Sequence, residues 1–104
     1  AIICWKYSGL QVSFYEKSQV ITKIGITEGD ANFKLGDVEI NKTKKESIIS
    51  TYGTPKFQIE KDDSLFLWYE LLPFRKFPYS YILQFKINKN DVCSEIIFIR
   101  DDFF

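Results

Sequence analysis

The chain has 104 residues, with fourteen basic side chains against fourteen acidic ones, no histidine and two cysteines. That length can bury a core without metals or disulfides, and the missing histidine removes the commonest general base and metal ligand together. Charge is balanced in both halves, seven basic against six acidic up to Gly53 and seven against eight after it, so the basic footprint of a nucleic-acid binder is absent and no nucleic-acid partner is expected. No run of about 18 apolar residues occurs, so no membrane-spanning helix is expected.

Ten Phe, six Tyr and two Trp make 17% of the chain aromatic, a bias that favours large side chains on a sheet. Residues 2–7 read as a strand with Ile3, Trp5 and Tyr7 on one face and Cys4 on the other. A strand-like start at Ala1 suggests that an element precedes it, a signal peptide or a further segment. Ser8-Gly9 breaks the strand. Leu10, Val12 and Phe14 then alternate with polar neighbours, and after a turn at 16–19 the residues Val20, Ile24 and Ile26 form the core side of the next strand. Phe33, Leu35, Val38 and Ile40 suggest one short strand interrupted at Gly36-Asp37.

Residues 43–52 read as the only helix. Thr43 and Glu46 have the spacing of a capping box, in which the hydroxyl accepts a first-turn N–H and the carboxylate reaches back. Gly53 is positioned to terminate it and Pro55 forbids continuation. Ile48, Ile49 and Tyr52 make one apolar stripe.

Phe57 and Ile59 follow in a short strand, and Lys61-Asp62-Asp63 is a charged hairpin turn. The next strand puts Leu65, Leu67, Tyr69 and Leu71 on one face and Phe66 and Trp68 on the other. Residues 73–78 form a proline-bracketed loop. Tyr81, Leu83, Phe85 and Ile87 alternate with polar or smaller residues, residues 88–91 turn the chain, and 95–99 are apolar on both faces near their end, as in a central strand. The two halves echo each other: Leu10-x-Val12-x-Phe14 with Ile24 and Ile26 resembles Tyr81-x-Leu83-x-Phe85 with Ile96 and Phe98, and Trp5-Lys-Tyr7 precedes the first as Leu67-Trp-Tyr69 precedes the second.

The expected fold is therefore one α+β domain spanning 1–104, an antiparallel sheet of about six strands with the short helix at about 43–52 packed on one face.

Catalytic candidates are few. Asp62-Asp63 beside Glu60 could be a carboxylate pair, but adjacent turn residues point apart and stay solvated. Asp30, Asp37 and Asn41 offer oxygens without the EF-hand spacing. Cys4 and Cys93 have no CxxC context; they would form one disulfide in an exported protein or two inert buried thiols otherwise. No phosphate-binding glycine loop exists, and no enzyme activity, metal or cofactor is expected. The stronger signal is for protein binding. Phe74, Arg75, Lys76, Phe77 and Tyr79 sit in the loop that Pro73 and Pro78 stiffen, and aromatic residues with Arg are the types enriched at interface hot spots. Phe66 and Trp68 join them as the aromatic pair on the second sheet face. A ligand-carrying pocket lined by Phe66 and Trp68 ranks below a protein interface.

Residues 40–55, then Trp68-Tyr69, then the Phe85, Val92 and Ile96 hairpin, are similar to the small α+β domains of the outer-membrane lipoprotein BamE (SmpA/OmlA) and of β-lactamase-inhibitor-like proteins. The likeness runs over roughly 38–99. This chain departs from it in having a hairpin where the family has a helical region, and no lipid-attachment Cys at residue 1. Its front half resembles small bacterial immunity-type proteins, which neutralise a toxin by binding it. Both resemblances imply a scaffold that binds protein. The first reading is an immunity or inhibitor protein, the alternative a BamE-like envelope-assembly domain; the compartment is left open by the sequence, the periplasm being favoured over the cytoplasm.

Overall fold

The computed structural model describes residues 1–29, 33–71 and 81–100. Seven strands form one antiparallel sheet: β1 (Ile2–Tyr7), β2 (Leu10–Tyr15), β3 (Ile21–Ile26), β6 (Phe57–Lys61), β7 (Ser64–Leu71), β8 (Tyr81–Ile87) and β9 (Cys93–Arg100), in the order β1-β2-β3-β9-β8-β7-β6. Between β3 and β6 the chain makes a small separate hairpin, β4 (Lys34–Leu35) with β5 (Val38–Glu39), and one helix, α1 (Lys45–Tyr52). The protein is α+β but dominated by strand. The sheet exceeds the expected six strands by one, and residues 33–40 form a hairpin rather than one interrupted strand, because Gly36 takes φ +56 and reverses the chain.

The apolar stretch at 95–99 does lie in the centre of the sheet, with β3 on one side of β9 and β8 on the other. The β3–β9 register carries a local two-fold relation: Gly25 lies opposite Ile97, Ile24 pairs with Phe98 and Ile26 with Ile96. Gly25 thus pairs with its own counterpart and Ile24 and Ile26 each with the counterpart of the other, whereas on β2 and β8 the pairing makes Leu10 equivalent to Leu83, two residues along from the Tyr81 of the sequence echo. Around this dyad β1-β2-β3 and β7-β8-β9 are equivalent meanders. Tyr7 opposite Leu10 corresponds to Tyr69 opposite Leu83, and Trp5 opposite Val12 to Leu67 opposite Phe85.

The core lies on one face, under α1 and the β4–β5 hairpin. Ile48, Leu67, Phe85, Cys93 and Ile96 are its fully buried side chains. Phe33, Leu35, Ile40, Ile49 and Tyr52 close over them, each large apolar side chain contributing ~1.5–3 kcal/mol when buried. Tyr52 stacks obliquely on Phe85 (centroids 5.3 Å) and Tyr69 (5.8 Å), which fixes the helix over the β7–β8 side of the sheet.

The helix starts two residues later than its sequence signals suggest, with Lys44 as N-cap and no side-chain cap. Thr43 cannot serve, since its backbone is already paired with β9: the Cys93 N–H donates to the Thr43 carbonyl at 2.8 Å. Its hydroxyl instead accepts the Glu39 N–H (2.8 Å) and donates to the Asp37 carbonyl. The first helical N–H, that of Lys45, finds the Asp91 carbonyl at 3.2 Å. At the other end Gly53 terminates the helix as expected, with φ +84, its N–H donating to Ile49 and its carbonyl accepting the Tyr69 hydroxyl at 2.8 Å.

Candidate protein-binding face

The α1 side and the opposite side of the sheet are populated by strict alternation along each strand. On β7, Leu67 and Tyr69 face the core, so Phe66 and Trp68 lie on the opposite face, half-buried. The β6–β7 connection determines what stands beside them. Asp62 and Asp63 both take positive φ (+52 and +63), the mark of a two-residue type I′ hairpin turn. That turn sets Lys61 opposite Ser64 and consequently Ile59 opposite Phe66 and Phe57 opposite Trp68. The acidic pair is thus a turn, its residues held by backbone geometry.

Phe57 and Ile59 are 52% and 42% exposed. The Phe57 and Trp68 rings meet edge to face at 6.3 Å. Two rows therefore run across the sheet from its β6 edge, Phe57–Trp68–Gln84–Ile97 and Ile59–Phe66–Lys86–Glu95. Both are apolar at the β6 edge; the first then runs through Gln84 to Ile97 and the second through Lys86 to Glu95. Cations frame the patch: Lys86 Nζ lies 5.9 Å from the Phe66 ring centre, and Lys56 lies over the Phe57 ring at 5.7 Å while pairing with Glu70. Phe57 and Ile59 were not singled out in the sequence as binding residues. The signal was present, since a two-residue turn at Asp62-Asp63 leaves no other register.

Of the residues expected to bind a partner, Phe66 and Trp68 come together on this face; Phe74, Arg75, Lys76, Phe77 and Tyr79 lie outside the described residues. Three surface depressions, of about 420, 260 and 690 Å³, are lined by other parts of the chain and include neither Phe66 nor Trp68.

The two thiols differ, and both are free. Cys93 is buried, and burial pushes its pKa up to about 11, the inert thiol expected of a core strand. Cys4 departs from that expectation. It lies exposed on the edge strand β1, where a hydrogen bond with Ser13, the Gln11 amide at 3.1 Å and the Lys6 and Lys23 charges hold it below the ordinary thiol range. It sits there because β1 has a neighbour on one side only.

Among the described residues no group of three or more His, Cys, Asp or Glu side chains could hold a metal ion, and no helix is long and apolar enough to cross a membrane. Comparison of the chain with family models, with curated proteins and with solved structures returns no match.

Proposed function

We propose that this chain is a non-enzymatic bacterial protein-binding module of the immunity or inhibitor type, which neutralises a toxin by covering it with the sheet face opposite α1. The observation that carries the reading is the aromatic patch of Phe57, Ile59, Phe66 and Trp68, which stands partly in solvent beside framing lysines. Clustered aromatics are the composition of an interface centre rather than of an ordinary surface, and lysines around them suit its polar rim. The Phe74, Arg75, Lys76, Phe77 and Tyr79 segment, which follows β7 in the chain, carries the aromatic and Arg residue types enriched at interface hot spots. The likeness of the front half to immunity-type proteins supports the same reading, and the absence of His leaves Cys and carboxylate chemistry without its usual activating base.

The test is co-expression with the product of the adjacent gene. The wild-type chain is expected to rescue growth and to bind that product in calorimetry, and Phe57→Lys with Phe66→Ala is expected to weaken binding at least about 100-fold, the scale of paired hot-spot losses. A neighbouring product that is harmless, or binding indifferent to both substitutions, would overturn the proposal.

A further inference from the structure

The sheet ends in β6, and among the described residues nothing pairs with its outer edge. The hairpin phase shows which backbone groups that edge presents. Lys61 and Ser64 flank a two-residue turn and form a hydrogen-bonded pair, so Lys61, Ile59 and Phe57 direct their N–H and C=O groups inward to β7. The Lys56 N–H, which strict alternation would turn outward, donates inward to the Trp68 carbonyl at 2.7 Å, and the regular alternation begins at Phe57. Gln58 and Glu60 therefore direct their backbone groups outward.

We infer that β6 is the pairing edge for a second copy of this chain, joined antiparallel about a two-fold axis at Ile59. In that register each Gln58 meets Glu60 of the second copy, and each such pair exchanges both of its outward main-chain hydrogen bonds. The side chains agree with the backbone. Gln58 can donate its amide to the opposing Glu60 carboxylate, Ile59 packs against its own counterpart, and Lys61 lies across Phe57 of the second copy as a cation over a ring. The strand carries no proline, one of the devices that blunt an edge.

A shift centred on Glu60 would oppose two carboxylates. A shift centred on Gln58 would recruit Lys56, whose N–H is already given to Trp68 and whose ammonium pairs with Glu70. The other edge, β1, fits itself poorly: its two-residue turn at Ser8-Gly9 directs Ile2, Cys4 and Lys6 outward, and self-pairing would set Lys6 against Ile2. A two-fold contact is closed, so pairing at β6 stops at a dimer. It also makes the Phe57/Ile59 rows of two copies continuous, doubling the apolar face.

A contact of one short strand lies at the small end of interface sizes, so sedimentation velocity is read from about 10 µM to about 1 mM. The wild-type mass should rise toward that of a dimer over this range. Gln58→Pro removes an outward N–H that the monomer does not use; it should abolish the rise with the circular dichroism spectrum unchanged. Two cysteine variants on a Cys4→Ser background test the register without a proline. Under diamide, Ile59→Cys should cross-link to itself and Glu60→Cys at least about tenfold less, because only the residue on the axis meets its own copy at disulfide range. A chain that is monomeric at about 1 mM, an Ile59→Cys variant that does not cross-link, or equal cross-linking of the two variants would overturn the inference.

Discussion

Leu67 and Trp5 occupy equivalent positions about the β3–β9 dyad, yet Leu67 is fully buried and Trp5 is 57% exposed. Tyr69 and Tyr7 repeat the contrast, at 7% and 66% exposed. The strands on the two sides have the same length class, the same alternation and the same kind of pairing. What differs is the cover. Ile48, Ile49 and Tyr52 of α1 lie over Leu67, Tyr69 and Phe85, whereas the packing of Trp5 is an edge-to-face contact with Phe14 on its own meander, at 5.2 Å. A strand pattern thus specifies which residues share a face, and a second layer decides whether that face becomes core.

This contrast can be broken most forcefully in the core. Leu67→Ala should lower the unfolding free energy by ~2–5 kcal/mol, and Phe85→Ala by ~3–5 kcal/mol, while Trp5→Ala at the equivalent exposed site should cost under ~1 kcal/mol, in the range of surface substitutions. Chemical denaturation of the three variants provides the comparison. A Trp5→Ala loss equal to that of Leu67→Ala would mean that the second meander is as well covered as the first.

The thiols sharpen the same comparison through pH. Cys93 is held neutral, its pKa raised to about 11 by burial, against ~8.5 for an unperturbed thiol. The unfolded chain therefore releases this proton first as pH rises, so stability is full below about pH 8.5 and declines toward pH 11 by on the order of 3 kcal/mol. Burial raises the Tyr69 pKa as well, which adds a fall of the same sign at the upper end of the window. Melting temperatures over this range should drop in the wild type, drop less in Cys93→Ala, and keep their wild-type course in Cys4→Ser.

The hairpin turns form a third pair. Gly9 has φ +89, and a Cβ there would stand 2.9 Å from the Thr27 carbonyl oxygen, so Gly9→Ala should destabilise by ~1–2 kcal/mol. The β6–β7 turn holds two aspartates at positive φ, and Asp63→Gly should stabilise by a few tenths to ~1 kcal/mol through relief of that strain. Smaller still is the loss of one hydroxyl. Tyr69→Phe removes the bond to the Gly53 carbonyl and should cost ~0.5–1.5 kcal/mol, with Tyr7→Phe close to neutral in the same thermal melts.

Much of the sheet was legible because alternation is a local property. The faces of β1, β2, β7 and β8, the central place of 95–99, the helix stripe and the Gly53 stop all follow from side-chain period and turn chemistry. The helix start was not legible. Thr43 and Glu46 carry a capping-box pattern, but Thr43 is drawn into pairing with Cys93, about fifty residues away in the sequence, and a long-range backbone bond overrides a local side-chain preference. Residues 33–40 differ from their expected form for a related reason, since four apolar residues around Gly36-Asp37 suit an interrupted strand and a hairpin equally well. Exposure of Cys4 was not legible either, because strand position in the sheet order is set by pairings that the residues of β1 do not announce.

The binding face divides along the same line. Local spacing alone determined that Phe57, Ile59, Phe66 and Trp68 share one side of a hairpin, because a two-residue turn fixes register. Only the tertiary structure decided that this side lies opposite α1 and that, among the described residues, β6 is a sheet edge. Which face of a sheet is covered depends on where α1 and the β4–β5 hairpin settle, and that is determined by the summed burial of side chains from distant segments, a quantity no single stretch of sequence contains.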